Sequence, residues 1–296
     1  MALKIQSRMV LLMIVVAMFA AFLAAPAFSG DPNKAKEHFN AALKASGEKN
    51  DTLAINEYKL AIQEDDKYVD AYINLGSVYF KNEKYADAEA NFKKATEADP
   101  QNADAWANLG RTYFKLNKIA ESETAFKTAL TNKADYYDVY KDLGLLYQSQ
   151  SSWPVLVENM KIYTEKVPTD YMGFYLLGKG YQGMKKYPDA IAAYNKSIEL
   201  NKDYFYTYNS LGKIYQAQEN YAQSLKMFEE AVRLKPENYL AARDLAISFE
   251  QVNQGKTDQI ITYWNKFLKA AKSNPKAQNF VKEAEDHVKE LQAQKK

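Results

Sequence analysis

The sequence predicts an all-α protein, a solenoid of stacked helix–turn–helix repeats closed by a C-terminal capping helix. Three observations predict it. Gly 11 and Pro 8 are few chain breakers for 296 residues, and β-branched runs are confined to the N-terminus. Leu-Gly pairs recur at Leu75-Gly76, Leu109-Gly110, Leu143-Gly144, Leu177-Gly178 and Leu211-Gly212, each 34 residues after the last. Aromatic and small residues keep the same phase. A hydrophobic share of 47% with 26% charged residues marks a chain that folds around a core.

The first element is an address. Lys4 and Arg8 precede an uncharged run from Met9 to Ala25, and Pro26 breaks it. Ala25-Pro26-Ala27 offers small residues where a signal peptidase reads, with Ala27-Phe28-Ser29 as a second candidate. Residues 1–27 therefore read as a secretory signal peptide. The alternative is an uncleaved N-terminal anchor at residues 9–25, because 17 apolar residues just reach the length that spans a bilayer. Both readings place the body of the protein outside the cytoplasm, as a periplasmic or secreted protein or one anchored in the inner membrane. Loss of residues 1–27 would remove two basic residues and no acid, leaving 37 of each sign.

The repeats follow. Three residues past each glycine stands Tyr79, Tyr113, Tyr147, Tyr181 or Tyr215, and four before it Tyr72, Trp106, Tyr140, Phe174 or Tyr208. The other half of each unit carries Ala88, Ser122, Leu156, Ala190 and Ser224, then Phe92, Phe126, Met160, Tyr194 and Phe228. Ala95, Ala129, Tyr163, Ser197 and Ala231 close it. Small residues let the two helices of a unit approach, and aromatics fill the space beside that contact. No unit buries both of its faces alone, so neighbours must stack.

These residues resemble the tetratricopeptide repeat family, whose 34-residue unit is a helix–turn–helix. The resemblance implies one right-handed array of seven units: 35–68 (divergent), 69–102, 103–136, 137–170, 171–204, 205–238 and 239–275 (divergent). The first unit lacks the Leu-Gly pair, and the polar turn after Gly47 leaves its register open. In the last, Asn253-Gln254-Gly255-Lys256 predicts a lengthened turn. Residues 276–294 predict the capping helix, with Phe280, Ala284, Val288 and Leu291 along one stripe.

Composition removes most chemistry. With Cys 0 there are no disulfides, zinc ribbons or cysteine nucleophiles, and His38 and His287 are too few and too far apart for a metal cage or a Ser-His-Asp centre. A net charge of +2 gives no field for nucleic acid. Gly178-Lys179-Gly180-Tyr181-Gln182-Gly183 spells a dinucleotide fingerprint, but inside a helix its amides are spent, and the extra glycines are expected only to loosen that helix. Asp70, Asp104 and Asp138 open three helices, where a carboxylate is expected to cap backbone N–H groups. No catalytic residues, metal ligands or cofactors are expected.

The resemblance also implies that the first helix of each unit lines a concave groove where partners bind. Asn40, Asn74 and Asn108 recur there at a spacing of 34 residues. A carboxamide both donates and accepts, so this ladder could hold a partner's backbone. Beside it in the first half lie Ser77, Phe80, Arg111, Phe114 and Lys115. The second half carries Lys141, Tyr175, Lys179, Asn209, Lys213 and Arg243, which tilt it positive toward an acidic partner segment. The carboxylate-clamp pattern of chaperone adaptors is absent, because Phe39, Leu43, Asp104 and Asn108 stand at its places. The leading expectation is a non-catalytic scaffold for other proteins or peptide segments of the cell envelope. Self-assembly into a homo-oligomer is the alternative. A small-ligand or lipid carrier is disfavoured by the polar residues interleaved along the groove.

Overall fold

The computed structural model describes residues 30–294. Fifteen α-helices and one short 3-10 turn make up the described residues, with no strand among them. The chain divides into two compact units that part between Asn132 and Lys133. The first unit holds three helix pairs: α1 (Pro32–Gly47) with α2 (Asp51–Glu64), α3 (Val69–Lys81) with α4 (Tyr85–Ala98), and α5 (Ala103–Lys115) with α6 (Ile119–Asn132). The second holds α7 (Tyr137–Ser149) with α8 (Trp153–Lys166), α9 (Tyr171–Gly183) with α10 (Tyr187–Leu200), α11 (Phe205–Ala217) with α12 (Tyr221–Leu234), and α13 (Tyr239–Val252) with α14 (Thr257–Ala271). A 3-10 turn at Pro275–Ala277 leads into α15 (Gln278–Ala293). The signal-peptide reading of residues 1–27 lies outside the described residues.

Each pair closes on one contact. A methyl group added to Gly76, Gly110, Gly144, Gly178 or Gly212 would lie 2.6–2.8 Å from Phe92, Phe126, Met160, Tyr194 or Phe228, well inside van der Waals contact. Those five large side chains are 0–1% exposed, so they have nowhere to retreat. The second helix thus lays a ring or thioether on bare backbone of the first, sixteen residues earlier. In α1 an alanine is tolerated: Ala42 takes the glycine's place opposite Tyr58, and both are buried. The small row backs this contact. Ala88, Ser122, Ala190 and Ser224 are wholly buried, and the two serines return their hydroxyls to the carbonyls of Gly110 (2.8 Å) and Gly212 (3.0 Å). A buried hydroxyl is thereby satisfied by a group the missing side chain leaves accessible.

The turns share a second regularity. Lys49, Glu83, Asn117, Ser151, Lys185 and Glu219 all have φ between 55° and 59°, one per pair and 34 residues apart. After each, the next amide reaches back five residues, as in Lys84 N to Tyr79 O (2.9 Å) and Lys186 N to Tyr181 O (2.9 Å). This is the Schellman ending of a helix, with a side chain bearing residue where glycine is easiest. Lys49 belongs to the series, so the first repeat keeps register although its glycine, Gly47, ends α1 two residues earlier. In the last pair the left-handed residue is Gly255 (φ 91°), 36 residues after Glu219 and two more than the period, as the lengthened turn implies, and the next amide, Lys256 N, reaches back only three residues to Asn253 O (3.0 Å).

Two expectations change. Asp70, Asp104 and Asp138 sit in the first turns of α3, α5 and α7, where they favour the helix dipole, but they are not the caps. In α5 the cap is Asn102, which accepts from Ala105 N at 2.9 Å, while Tyr68 and Tyr136 precede α3 and α7 without a side-chain cap. The glycines of the fingerprint string also do more than loosen α9. A methyl on Gly180 would meet Val157 at 2.6 Å, and one on Gly183 would collide with the Trp153 ring. Gly173, two turns before Gly180, would meet the Tyr163 ring at 2.6 Å. These three glycines are notches cut in α9 for the bulky face of α8.

Two stability predictions follow from these contacts. Gly110→Ala is expected to lower stability by about 1–3 kcal/mol through overpacking on Phe126. In a Phe126→Ala background the same change should raise stability by about 1 kcal/mol, the helix-propensity gain of alanine. Urea melts of the four proteins test that reversal of sign. Glu83→Gly should stabilise by about 0.5–1 kcal/mol, since a left-handed residue with a Cβ costs more than glycine's added chain entropy. Asn117→Gly should gain less, because asparagine tolerates that conformation, and the same melts compare the two.

Candidate partner-binding groove

The first helices of successive pairs touch one another within each unit, α3 with α5 in the first and α7, α9, α11 and α13 in series in the second. The residues expected to meet a partner stand on these helices. In the first unit Asn40 is exposed, and Asn74 and Asn108 are half-buried. The two inner asparagines each spend one amide function inside the protein. Asn74 Nδ2 donates to Asp70 O (2.8 Å), and Asn108 Oδ1 accepts from Arg111 Nη1 (3.0 Å). Ser77 Oγ donates to Ile73 O at 2.7 Å. These local bonds hold the side chains against their own helices and so fix their orientation before any ligand arrives.

Four expected residues come together. Ser77 and Phe80 of α3 and Asn108 and Arg111 of α5 line a notch of about 70 Å³ floored by Phe92. Phe80 is fixed by an edge-on contact with Tyr85, centroids 5.3 Å apart. Phe114 is half-buried and Lys115 exposed at the end of α5, and neither lines the notch. The floor is the aromatic side chain that closes the helix pair, so packing and surface share one residue.

The second unit departs from the expected basic tilt. Lys141 Nζ is bound by Asp170 Oδ2 at 3.2 Å, which also accepts from Tyr163 Oη at 2.5 Å. Burial works to raise the Asp170 carboxyl, but the Tyr163, Met172 and Lys141 hydrogen bonds outweigh it and hold it below the ordinary carboxylate range. Arg243 lies over the Phe280 ring at 4.4 Å with Nη2 3.7 Å from Asp244 Oδ1. Tyr175 is core and not surface. It is 9% exposed and packs against Tyr194 (5.9 Å) and Tyr204 (5.2 Å), and burial raises its hydroxyl above the usual range. Its place on the groove side of α9 comes with too many aromatic neighbours for it to be free. Asn209 is half-buried with Oδ1 lacking a donor, and Lys213 is exposed. Lys179 is half-buried, and burial, then the nearby Lys213 charge, pull its ammonium below the usual range.

Several groups carry no periodic signal. Trp264 Nε1 donates to Glu250 Oε2 (2.8 Å), and His287 Nε2 lies 3.0 Å from the same carboxylate. They tie α14 and α15 to α13 and line a cavity of about 460 Å³ with Arg243 and Phe280. His287 could be noticed as a histidine, yet its partner 37 residues away lies outside the 34-residue frame. His38 is similarly a tie between helices, with Nδ1 2.7 Å from Glu57 Oε2. Among the described residues no group of three His, Cys, Asp or Glu side chains could hold a metal ion.

Known proteins place this architecture. Models of the tetratricopeptide repeat match residues 73–137 and 209–275, and a second model of that repeat matches 174–237. No curated protein matches the chain in sequence. Among solved structures, part of a repeat protein from Cytophaga hutchinsonii aligns with TM-score 0.64 at 18% identity, covering 81% of this chain and 98% of that one. PilF of Pseudomonas aeruginosa aligns with TM-score 0.59 at 20% identity, covering 74% and 98%. YrrB, described as a repeat protein with an unusual peptide-binding site, aligns with TM-score 0.56 at 20% identity, covering 63% and 96%. At such identities the likeness is one of fold, an all-α helical-repeat solenoid. Repeats of this kind make a protein–protein interaction scaffold. With the period, the glycine contacts and the matched models in agreement, the chain belongs to the tetratricopeptide repeat family.

Proposed function

We propose that this protein is a non-catalytic scaffold outside the cytoplasm, and that it holds a segment of a partner polypeptide against the first helices of its repeats. The observation that carries the reading is the notch of Ser77, Phe80, Asn108 and Arg111, where an apolar floor is rimmed by pre-oriented polar groups from two successive repeats. An extended chain laid across the first three repeats meets the carboxamides of Asn40, Asn74 and Asn108, each such hydrogen bond contributing about 0.5–1.5 kcal/mol net. The peptide-binding site named for YrrB supports the same use of a similar fold. The absence of an acid–base constellation in the sequence supports a binding role over a catalytic one.

Self-assembly is the second reading, and one observation favours it. Leu43, Leu53 and Leu60 of the first helix pair are each 38–44% exposed, aliphatic area that a second copy could cover. The location rests on residues 1–27. No described helix is long and apolar enough to cross a membrane.

Affinity capture from the native compartment tests the groove. The triple variant Asn74→Ala, Asn108→Ala, Arg111→Ala should lose the partner by at least about tenfold, and an unchanged set of captured proteins overturns this site. N-terminal sequencing of the natural protein should begin at Phe28 or Gly30. Retention of Met1 would instead establish the anchored form. Light scattering of the mature chain should show a monomer at high concentration, and a concentration-dependent mass would favour self-assembly.

A further inference from the structure

The second unit carries one half-buried ammonium, that of Lys179, for which the described residues supply no carboxylate. Lys179 on α9 and Lys213 on α11 occupy the same repeat position, 34 residues apart, on helices in contact. Lys141 and Arg243, one repeat to either side, have carboxylates of their own in Asp170 and Asp244. Lys179 has none. Burial and the like charge of Lys213 act on it. The nearest acid of the neighbouring helix α13, Asp244, is itself buried, raised by that burial, and shared between Lys213 and Arg243. Across α9, α11 and α13, Lys179, Lys213 and Arg243 are set against Asp244, while Glu250, the other carboxylate of α13, is held by Trp264 and His287.

A half-buried ammonium without a counter-ion gives up hydration and receives nothing for it. Folded chains avoid this arrangement except where something else completes it. The exposed ammonium of Lys213 stands one repeat further along the line a bound segment follows, on the reading proposed above. We propose that Lys179 and Lys213 form a subsite for an acidic side chain, Asp or Glu, within the partner segment, whose carboxylate supplies the missing counter-charge. This inference rests on the groove reading and adds the chemistry of the partner. It differs from capture of a chain terminus, because the lysines lie in the interior of the repeat series and no asparagine pair accompanies them.

The test is selection of C-terminally amidated random dodecapeptides by the full chain, so that side chains are the main source of carboxylate. Wild type should enrich Asp or Glu at one fixed position. The variant Lys179→Gln, Lys213→Gln, verified as folded by circular dichroism, should still select peptides but lose that enrichment. An individual acidic peptide should bind the variant about tenfold more weakly than wild type, the loss expected for a charge-assisted hydrogen bond. Its Glu→Gln counterpart should bind both proteins alike. Acid enrichment that persists in the variant overturns the subsite, as does selection by wild type without any acidic preference. An empty wild-type selection overturns the groove reading itself, and the subsite with it. Lys213→Gln alone, at an exposed position, gives the same comparison should the double variant not fold.

Discussion

The five central repeats depend on one close approach, a large side chain of the second helix seated on a glycine backbone of the first. The spacing is too short for any side chain at Gly76, Gly110, Gly144, Gly178 or Gly212. Because the seated group is buried, it cannot swing aside, and the helix pair has one depth of packing available. That depth sets where the outer face of the first helix stands. Phe92 shows the connection directly, since it closes the Gly76 contact and also floors the notch beside Asn108.

The same constraint explains the irregular middle of the chain. Where Leu156 and Tyr163 replace the small residues used elsewhere, α9 answers with Gly173 and Gly180. Volume is exchanged between helices and conserved across the interface. A related substitution appears one repeat on, where Ser197 and Thr207 meet as hydroxyls 3.1 Å apart. A string that spells a phosphate-binding loop is thus a packing solution, and its meaning comes from the helix on the other side.

Polar groups on the groove side are governed by local competition. Asn74 and Ser77 bond to carbonyls of their own helix, and Lys141 is drawn to the cap of α9. Charge counted along the sequence therefore overstates the charge a ligand meets. What survives is the set of groups for which the fold supplies no partner, and Lys179 stands out among them because burial makes its isolation costly.

The 34-residue period, the helix pairs, the lengthened last turn and the capping stripe were legible in the residues, because repetition multiplies a weak local pattern until it is unmistakable. That Asn108 and Arg111 share one face of α5 was also legible, since surface position follows from helical phase. Other features were decided only in three dimensions. The burial of Tyr175, the pairing of Arg243, the asparagine cap in place of Asp104 and the Glu250–Trp264–His287 tie each depend on a neighbour outside the repeat frame. Periodicity determines which face of a helix turns inward. Which side chain meets which is settled by the volume and charge that the adjoining helix brings, and that information is spread over residues a period does not connect.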